Sequence, residues 1–481
     1  MSRLRSRGIL VAVILPSFMA ALDGSVVNVA LPQIQTQLAL DESGLKWVAA
    51  IYPLVHSSFL LFGGHLADSK GRRLTLMLGV IVFTLSSMLC STAHHAAVLI
   101  AGRGLQGMGA ALILPASLAV LSHDLPPRSR NAGVSALTVA LASALAGGPV
   151  LSGLITEHLG WNWLFTINAP IGAVCLLFCL TCVPHPPASG AAPHDADAPA
   201  TSLRAVALVC LPVAGLAYCL IEGPRDGFST PRVVTVALLS ALSLLTLALR
   251  SSPHRRATIT VLFGRRAFTG GLITQLLWGL GVSGVYFFTT LYLQNVLHLS
   301  PISTGLMFTP VALSLLITAS FVPALARRWG DGRVAATGML FVALGLLLVA
   351  VGSRQGDFTD LLPGLAAIGF GSALAVPLTT RALESSPDQL SGIAAGLFSA
   401  AREASGVLGI AVVGLIVTLA QRSAMSTGAN SEHAFLMGYQ AGLYTAASLV
   451  ALGVPVALWG LRKHVCSRQG CCVVTDTRVT K

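Results

Sequence analysis

The stretch Arg327-Arg328-Trp329-Gly330-Asp331-Gly332-Arg333, followed by VAATGMLFVALGLLLVAVG (334–352), decides the fold class of this sequence. Basic residues crowd one end, and the run after Arg333 carries no charge. At 1.5 Å rise per residue, such a run forms a helix about 30 Å long, enough to cross the hydrocarbon of a bilayer. Comparable runs begin near Gly8, Leu45, Leu74, Ala96, Asn131, Trp161, Leu203, Pro231, Ala267, Ser303, Leu361, Ser391 and Phe435, giving fourteen candidate spans with the one at Val334. In hydrocarbon every backbone polar group must bond internally, so runs of this length form helices, whereas a barrel shows short alternating strands.

Composition agrees. Of 481 residues 54% are hydrophobic and 10% charged, with mean hydropathy +0.78, where soluble domains carry roughly 25% charged residues. The formal charge of +12 does not point to nucleic acid, because the basic residues alternate between loops. With the N-terminus placed in the cytoplasm, 23 of the 30 Lys and Arg fall on the cytoplasmic side and five, including Lys46, on the other; Arg103 and Arg402 lie inside spans. That imbalance predicts an even helix count and both termini inside. Arg3, Arg5 and Arg7 before the run from Gly8 look like a signal peptide, but no A-x-A-like site closes the run and Asp23 interrupts it, so it reads as the first retained helix. Cys175, Cys179 and Cys182 share a helical face without His or carboxylate and read as packing residues, not as a metal site.

The insertion from Pro184 to Ser202, rich in Pro and Ala, reads as a linker. It predicts a six-helix bundle over 1–183, a cytoplasmic linker at 184–202, a helix pair at 203–250, a second six-helix bundle at 251–461 and a cytoplasmic tail at 462–481. An internal echo supports the division: LADSKGRRL (66–74) resembles LARRWGDGRV (325–334). Repeated bundles around a central cavity favour a transporter over a receptor or a membrane-anchored enzyme.

Asp23, inside the first span, costs roughly 2.5–3.5 kcal/mol at mid-membrane and requires a partner. Arg103 in the fourth span lies at the same depth, roughly 10–12 Å from the outer boundary, and a titrating carboxylate beside a permanently charged guanidinium suits proton coupling. The alternative is a static pair that pins two helices. Arg402 and Glu403 point about 100° apart on one helix, so each needs another partner; Glu403 suits a cationic substrate, a second proton or a structural role. Glu222 reads as a solvated carboxylate at the outer interface. The loop with Gly64, Asp68, Gly71, Arg72 and Arg73 permits a tight turn, with Asp68 placed to pair with the basic cluster or cap the next helix. Gly148, Pro149 and Gly153 suit a hinge or tight seal. Trp278, Tyr286 and Phe287 are candidates to stack on substrate, and equally to face lipid or core.

The segment LDGSVVNVALP (22–32) resembles the first-helix signature of the fourteen-helix drug:proton antiporters of the major facilitator superfamily. The loop from Gly64 to Arg73, RGLQG (103–107), the Gly148-Pro149 to Gly153 element and WNWLFTINAP (161–170) follow in that family's order, and the likeness covers nearly the whole chain. The resemblance implies an all-α integral membrane protein with the major facilitator fold, two six-helix bundles plus two extra helices. It implies proton-driven efflux of a small-molecule drug, with Asp23 and Arg103 in coupling, Asp68 and the basic loop in gating, and Pro149 in favouring antiport. The chain is also similar to self-protection exporters of the lincomycin and methylenomycin resistance type in bacterial cytoplasmic membranes. Ser69-Lys70, Asn162 and the missing rear counterpart of Asp68 depart from the pattern. Metabolite transport on the same fold is the alternative, which the element at Pro149 disfavours. No nucleophile elbow, metal-spaced cluster or G-x-x-x-x-G-K-[ST] loop occurs, so no catalytic residue, cofactor or ATP site is expected.

Overall fold

The computed structural model describes residues 3–184, 203–249, 260–387 and 390–460, which fold as helices joined by short turns. Twelve helices among the described residues are long and apolar enough to cross a membrane. The helices Leu203–Asp226 (α8) and Pro231–Leu249 (α9) supply the further pair of the fourteen-helix reading. All but the first residue of the linker from Pro184 to Ser202, and the tail with Cys466, Cys471 and Cys472, lie outside the described residues.

The front helices are α1 (Arg3–Gln37), α2 (Glu42–Lys70), α3 (Arg72–Ser91), α4 (Ala96–Asp124), α5 (Pro127–His158) and a sixth span divided at Ile167 into α6 (Asn162–Thr166) and α7 (Asn168–Cys182). They pack chiefly on one another, α4 against α2 and α3, and α1 against α5 and α7. Small residues let the backbones approach: a Cβ on Gly109 of α4 would meet the Phe83 nitrogen of α3 at 2.7 Å.

The rear begins with α10 (Arg266–Asn295). Next comes a span broken at Phe308 into α11 (Pro301–Met307) and α12 (Thr309–Ala319), followed by α13 (Val322–Trp329) and α14 (Asp331–Gly352). A second broken span follows, α15 (Leu362–Leu374) and α16 (Val376–Glu384), then α17 (Ser391–Ser426) and α18 (Ser431–Gly460). Pro310 and Pro377 stand in the first turns after the two breaks, where the missing N–H interrupts the ladder. The rear helices likewise pack on one another, and the halves meet where α2 crosses α17 and α5 crosses α11.

The sequence echo is also a structural one. Gly71 (φ +97°) ends α2 and Gly330 (φ +85°) ends α13, each in a left-handed conformation that side chains rarely adopt. The next residue starts a helix in each half: Arg72 forks onto Asp124 at the end of α4, and Asp331 faces Arg381 of α16 at 3.7 Å. The two clamps occupy corresponding places with the charges exchanged.

The outer end, so named from the charge distribution, carries Gln37, Asp41 and Ser431. There α8 packs on both α2 and α17. Glu222 is not left to solvent as the sequence suggested. It accepts from the Ser43 hydroxyl and from Trp47 Nε1 (2.8 Å), while Arg422 of α17 donates to the Pro224 carbonyl.

Candidate functional site

Asp23 of α1 and Arg103 of α4 meet inside the front half, 2% and 1% exposed. Arg103 Nη1 donates to Asp23 Oδ2 and to Gln106 Oε1 (2.9 Å). Gln106 Nε2 in turn donates to Asp23 Oδ1 (3.1 Å) and Ser87 Oγ (2.7 Å), and Asn168 Nδ2 reaches the same two oxygens at 3.5 and 3.2 Å. Each carboxylate oxygen is thereby bonded, which a charge removed from water requires. The guanidinium also lies 4.4 Å from the centroid of the Tyr52 ring, and the Tyr52 hydroxyl donates to the Ala20 carbonyl (2.8 Å).

A second titratable pair spans the two halves. On α2, four residues after Tyr52, His56 Nδ1 lies 3.8 Å from Glu403 Oε2 of α17, and its Nε2 is buried without a hydrogen-bond partner. The Tyr52 and His56 rings are 5.9 Å apart. A row of groups therefore runs from Asp23 through Arg103, Tyr52 and His56 to Glu403, from one half into the other. Arg402 is exposed, and as the adjacent helical position it is turned about 100° from Glu403.

The Gly64 to Arg73 loop does not use Asp68 in this conformation. Asp68 is exposed in the last turn of α2, and Gly71 precedes α3 without a side-chain cap. After the reversal at Gly71, Arg72 points back to α4 and binds Asp124, and Arg73 donates to the Leu180 carbonyl (2.8 Å). The Gly148 to Gly153 element faces two ways. A Cβ on Gly148 would strike the Ser25 hydroxyl, and Ser152 donates to the Val26 carbonyl, closing α5 onto α1 just beyond Asp23. On the other face a Cβ on Gly153 would strike the Pro301 oxygen, and one on Gly305 the Pro149 oxygen, so α5 and α11 touch backbone to backbone.

Of the three aromatic candidates, Phe287 is core. Tyr286 lines a small apolar cavity with Val282, Phe308 and Leu346, and Trp278 donates to Ser372 Oγ at 3.2 Å. Sequence reasoning missed Ser87, Asn168, Tyr52 and His56. Asn168 lies in the quoted WNWLFTINAP segment without standing out from it, and of the four only His56, a titratable side chain within an apolar run, carried a signal.

A buried charge pair thus sits among membrane-length helices whose two halves touch along a seam. The Major Facilitator Superfamily profile matches residues 13–410. The chain belongs to that superfamily. It is accordingly a multi-pass membrane transporter. Multidrug resistance protein Stp of Mycobacterium tuberculosis is 34% identical over 85% of this chain and 75% of its own. Puromycin resistance protein pur8 of Streptomyces alboniger is 30% identical over 98% and 94%. The methylenomycin A resistance protein of Bacillus subtilis is 29% identical over 85% and 87%. Among solved structures, an auto-inhibited POT family peptide transporter aligns with TM-score 0.66 at 16% identity over 94% of this chain and 96% of that one. A D-xylose–proton symporter gives 0.64 at 15% over 95% and 99%. At those identities the structural likeness establishes the superfamily fold alone.

Proposed function

We propose that this chain exports an antibiotic or other amphipathic drug across the bacterial cytoplasmic membrane in exchange for protons, conferring resistance. The observation that carries the reading is the enclosed Asp23–Arg103 pair, in which one partner can titrate while the other stays charged. A proton arriving on Asp23 removes the counter-charge of a buried guanidinium, so the two protonation states favour different helix arrangements, which is what coupling needs. The names of Stp and of the puromycin and methylenomycin resistance proteins support drug efflux.

In this reading the bundles at 1–183 and 251–461 rock against each other, with the pair at 203–250 alongside and both termini in the cytoplasm. Gly64, Asp68, Gly71, Arg72 and Arg73 gate the cytoplasmic face, and Gly148, Pro149 and Gly153 seal the outer one. Glu403, with His56 opposite and Arg402 beside it, takes a cationic substrate group or a second proton. Transport of a small metabolite is the second reading.

The deciding experiment is uptake into inverted vesicles energised by a proton gradient, over an antibiotic panel that includes lincosamides and puromycin. Accumulation abolished by collapsing the gradient supports proton-driven export; no accumulation of any drug by folded protein moves the assignment to a metabolite.

A further inference from the structure

The charge count places Lys46 on the outer side, and its side chain there is only 3% exposed. It lies on α2 at the outer end of the seam. Its ammonium pairs with Glu42 (2.7 Å) one turn back on the same helix and reaches across to α17, donating to Thr418 Oγ1 (2.9 Å) and to the Gly414 carbonyl (3.4 Å). Thr418 Oγ1 completes the ring by donating to Glu42 Oε1 (2.6 Å). The opposing helix leaves room for it: a Cβ on Gly414 would lie 2.9 Å from Lys46 Cε.

Two further bonds between the halves at this end are of another kind. Gln294 donates to the Val29 carbonyl, and Glu157 accepts from the Ile302 nitrogen. Neither involves a buried cation. Glu42 is 41% exposed and lines an outer cleft with Gln35, Phe288, Asn295, Gln421 and Glu432, so water reaches one side of the ion pair while protein encloses the other.

We infer that Lys46 is the positioning residue that holds the outer face closed, its ammonium acting as a releasable charge latch between α2 and α17. Glu42 travels with Lys46 because both belong to α2. Opening therefore breaks the bonds of Lys46 to Thr418 and Gly414 and that of Thr418 to Glu42, and the cation exchanges its two for water with its counter-charge still attached. A buried cation held this way is neutralised in both states, yet it bonds the opposite half in only one of them. Hydrogen bonds to a charged group contribute enough to bias a two-state equilibrium by roughly tenfold or more. The inference rests on the export reading only in taking this end as the exit side.

The test is hydrogen–deuterium exchange on the purified full chain in lipid nanodiscs, without drug or gradient, comparing wild type with Lys46→Met, Thr418→Val and Thr418→Ser. Met and Val retain the bulk and remove the bond; Ser retains the hydroxyl. The expected result is several-fold faster exchange at the outer ends of α2, α5, α11 and α17 in Lys46→Met and Thr418→Val, with cytoplasmic ends unchanged and Thr418→Ser at the wild-type level. Unchanged outer exchange in both Lys46→Met and Thr418→Val overturns the inference, as does equal acceleration in Thr418→Ser. Vesicle uptake tests the export reading separately, so a latch without drug transport and drug transport without a latch are distinct outcomes.

Discussion

Replacing Asp23 with asparagine leaves the Arg103 guanidinium enclosed without its counter-charge. Removing one partner of a buried ion pair costs about 3–5 kcal/mol. Asparagine keeps an acceptor oxygen and Arg103 retains Gln106 Oε1, which returns about 1–1.5 kcal/mol. The net loss is therefore about 1.5–4 kcal/mol, seen as weaker thermal stability in detergent. Stability alone does not separate coupling from a static staple between α1 and α4. The double variant Asp23→Asn/Arg103→Gln does, because removing both charges brings the penalty near neutral. If the pair is a staple, the double variant regains both stability and gradient-driven uptake in inverted vesicles. If the pair couples protons, it regains stability and retains drug exchange down a concentration gradient, while uphill uptake stays lost. Wild-type uphill transport by either variant would refute the coupling argument.

Other predictions concern separate parts of the structure. Arg72→Ala should destabilise the protein by about 2–4 kcal/mol through the uncompensated, 4% exposed Asp124 carboxylate, with partial recovery in Arg72→Asp/Asp124→Arg; scanning fluorimetry measures both. Gly153→Ala and Gly305→Ala force backbone apart at the α5–α11 contact at about 1–3 kcal/mol each, so both should increase labelling of outer-end residues and slow transport. Tyr52→Phe keeps the ring under Arg103 and should transport at close to the wild-type rate, whereas Tyr52→Leu loses about 0.5–2 kcal/mol of cation–π attraction and should lower uptake several-fold. Glu403→Gln should raise the KM of a cationic drug more than that of a neutral one, and equal effects on both would remove Glu403 from substrate recognition.

Much of this architecture was legible because lipid leaves few choices. Apolar length set the spans, and a charge inside one demanded a partner at matching depth, which Arg103 supplies for Asp23. Counting charges across loops assigns a side but not burial, so it places Lys46 on the outer side without showing that protein encloses it, and Glu222 passed for a solvated carboxylate. Both bond across helix contacts that depend on long-range packing. The partner of Arg72 was hidden for the same reason, since Asp124 is brought beside it only by the packing of α3 on α4. Neutral polar residues such as Ser87 and Asn168 carry no insertion penalty large enough to stand out within an apolar run. The breaks before Pro310 and Pro377 lie inside apolar runs that read as continuous spans, because whether a proline bends or divides a helix is settled by its neighbours.

The exchanged clamps at Arg72–Asp124 and Asp331–Arg381 make the two halves non-interchangeable at the end opposite Lys46. Transplanting the front turn into the rear would set an arginine against Arg381, and the reverse graft would set an aspartate against Asp124. Either chimera would turn a clamp into a repulsion. Each half thus carries its own key and lock, and a single-site change that travels from one repeat to the other meets a mismatch unless its partner travels too.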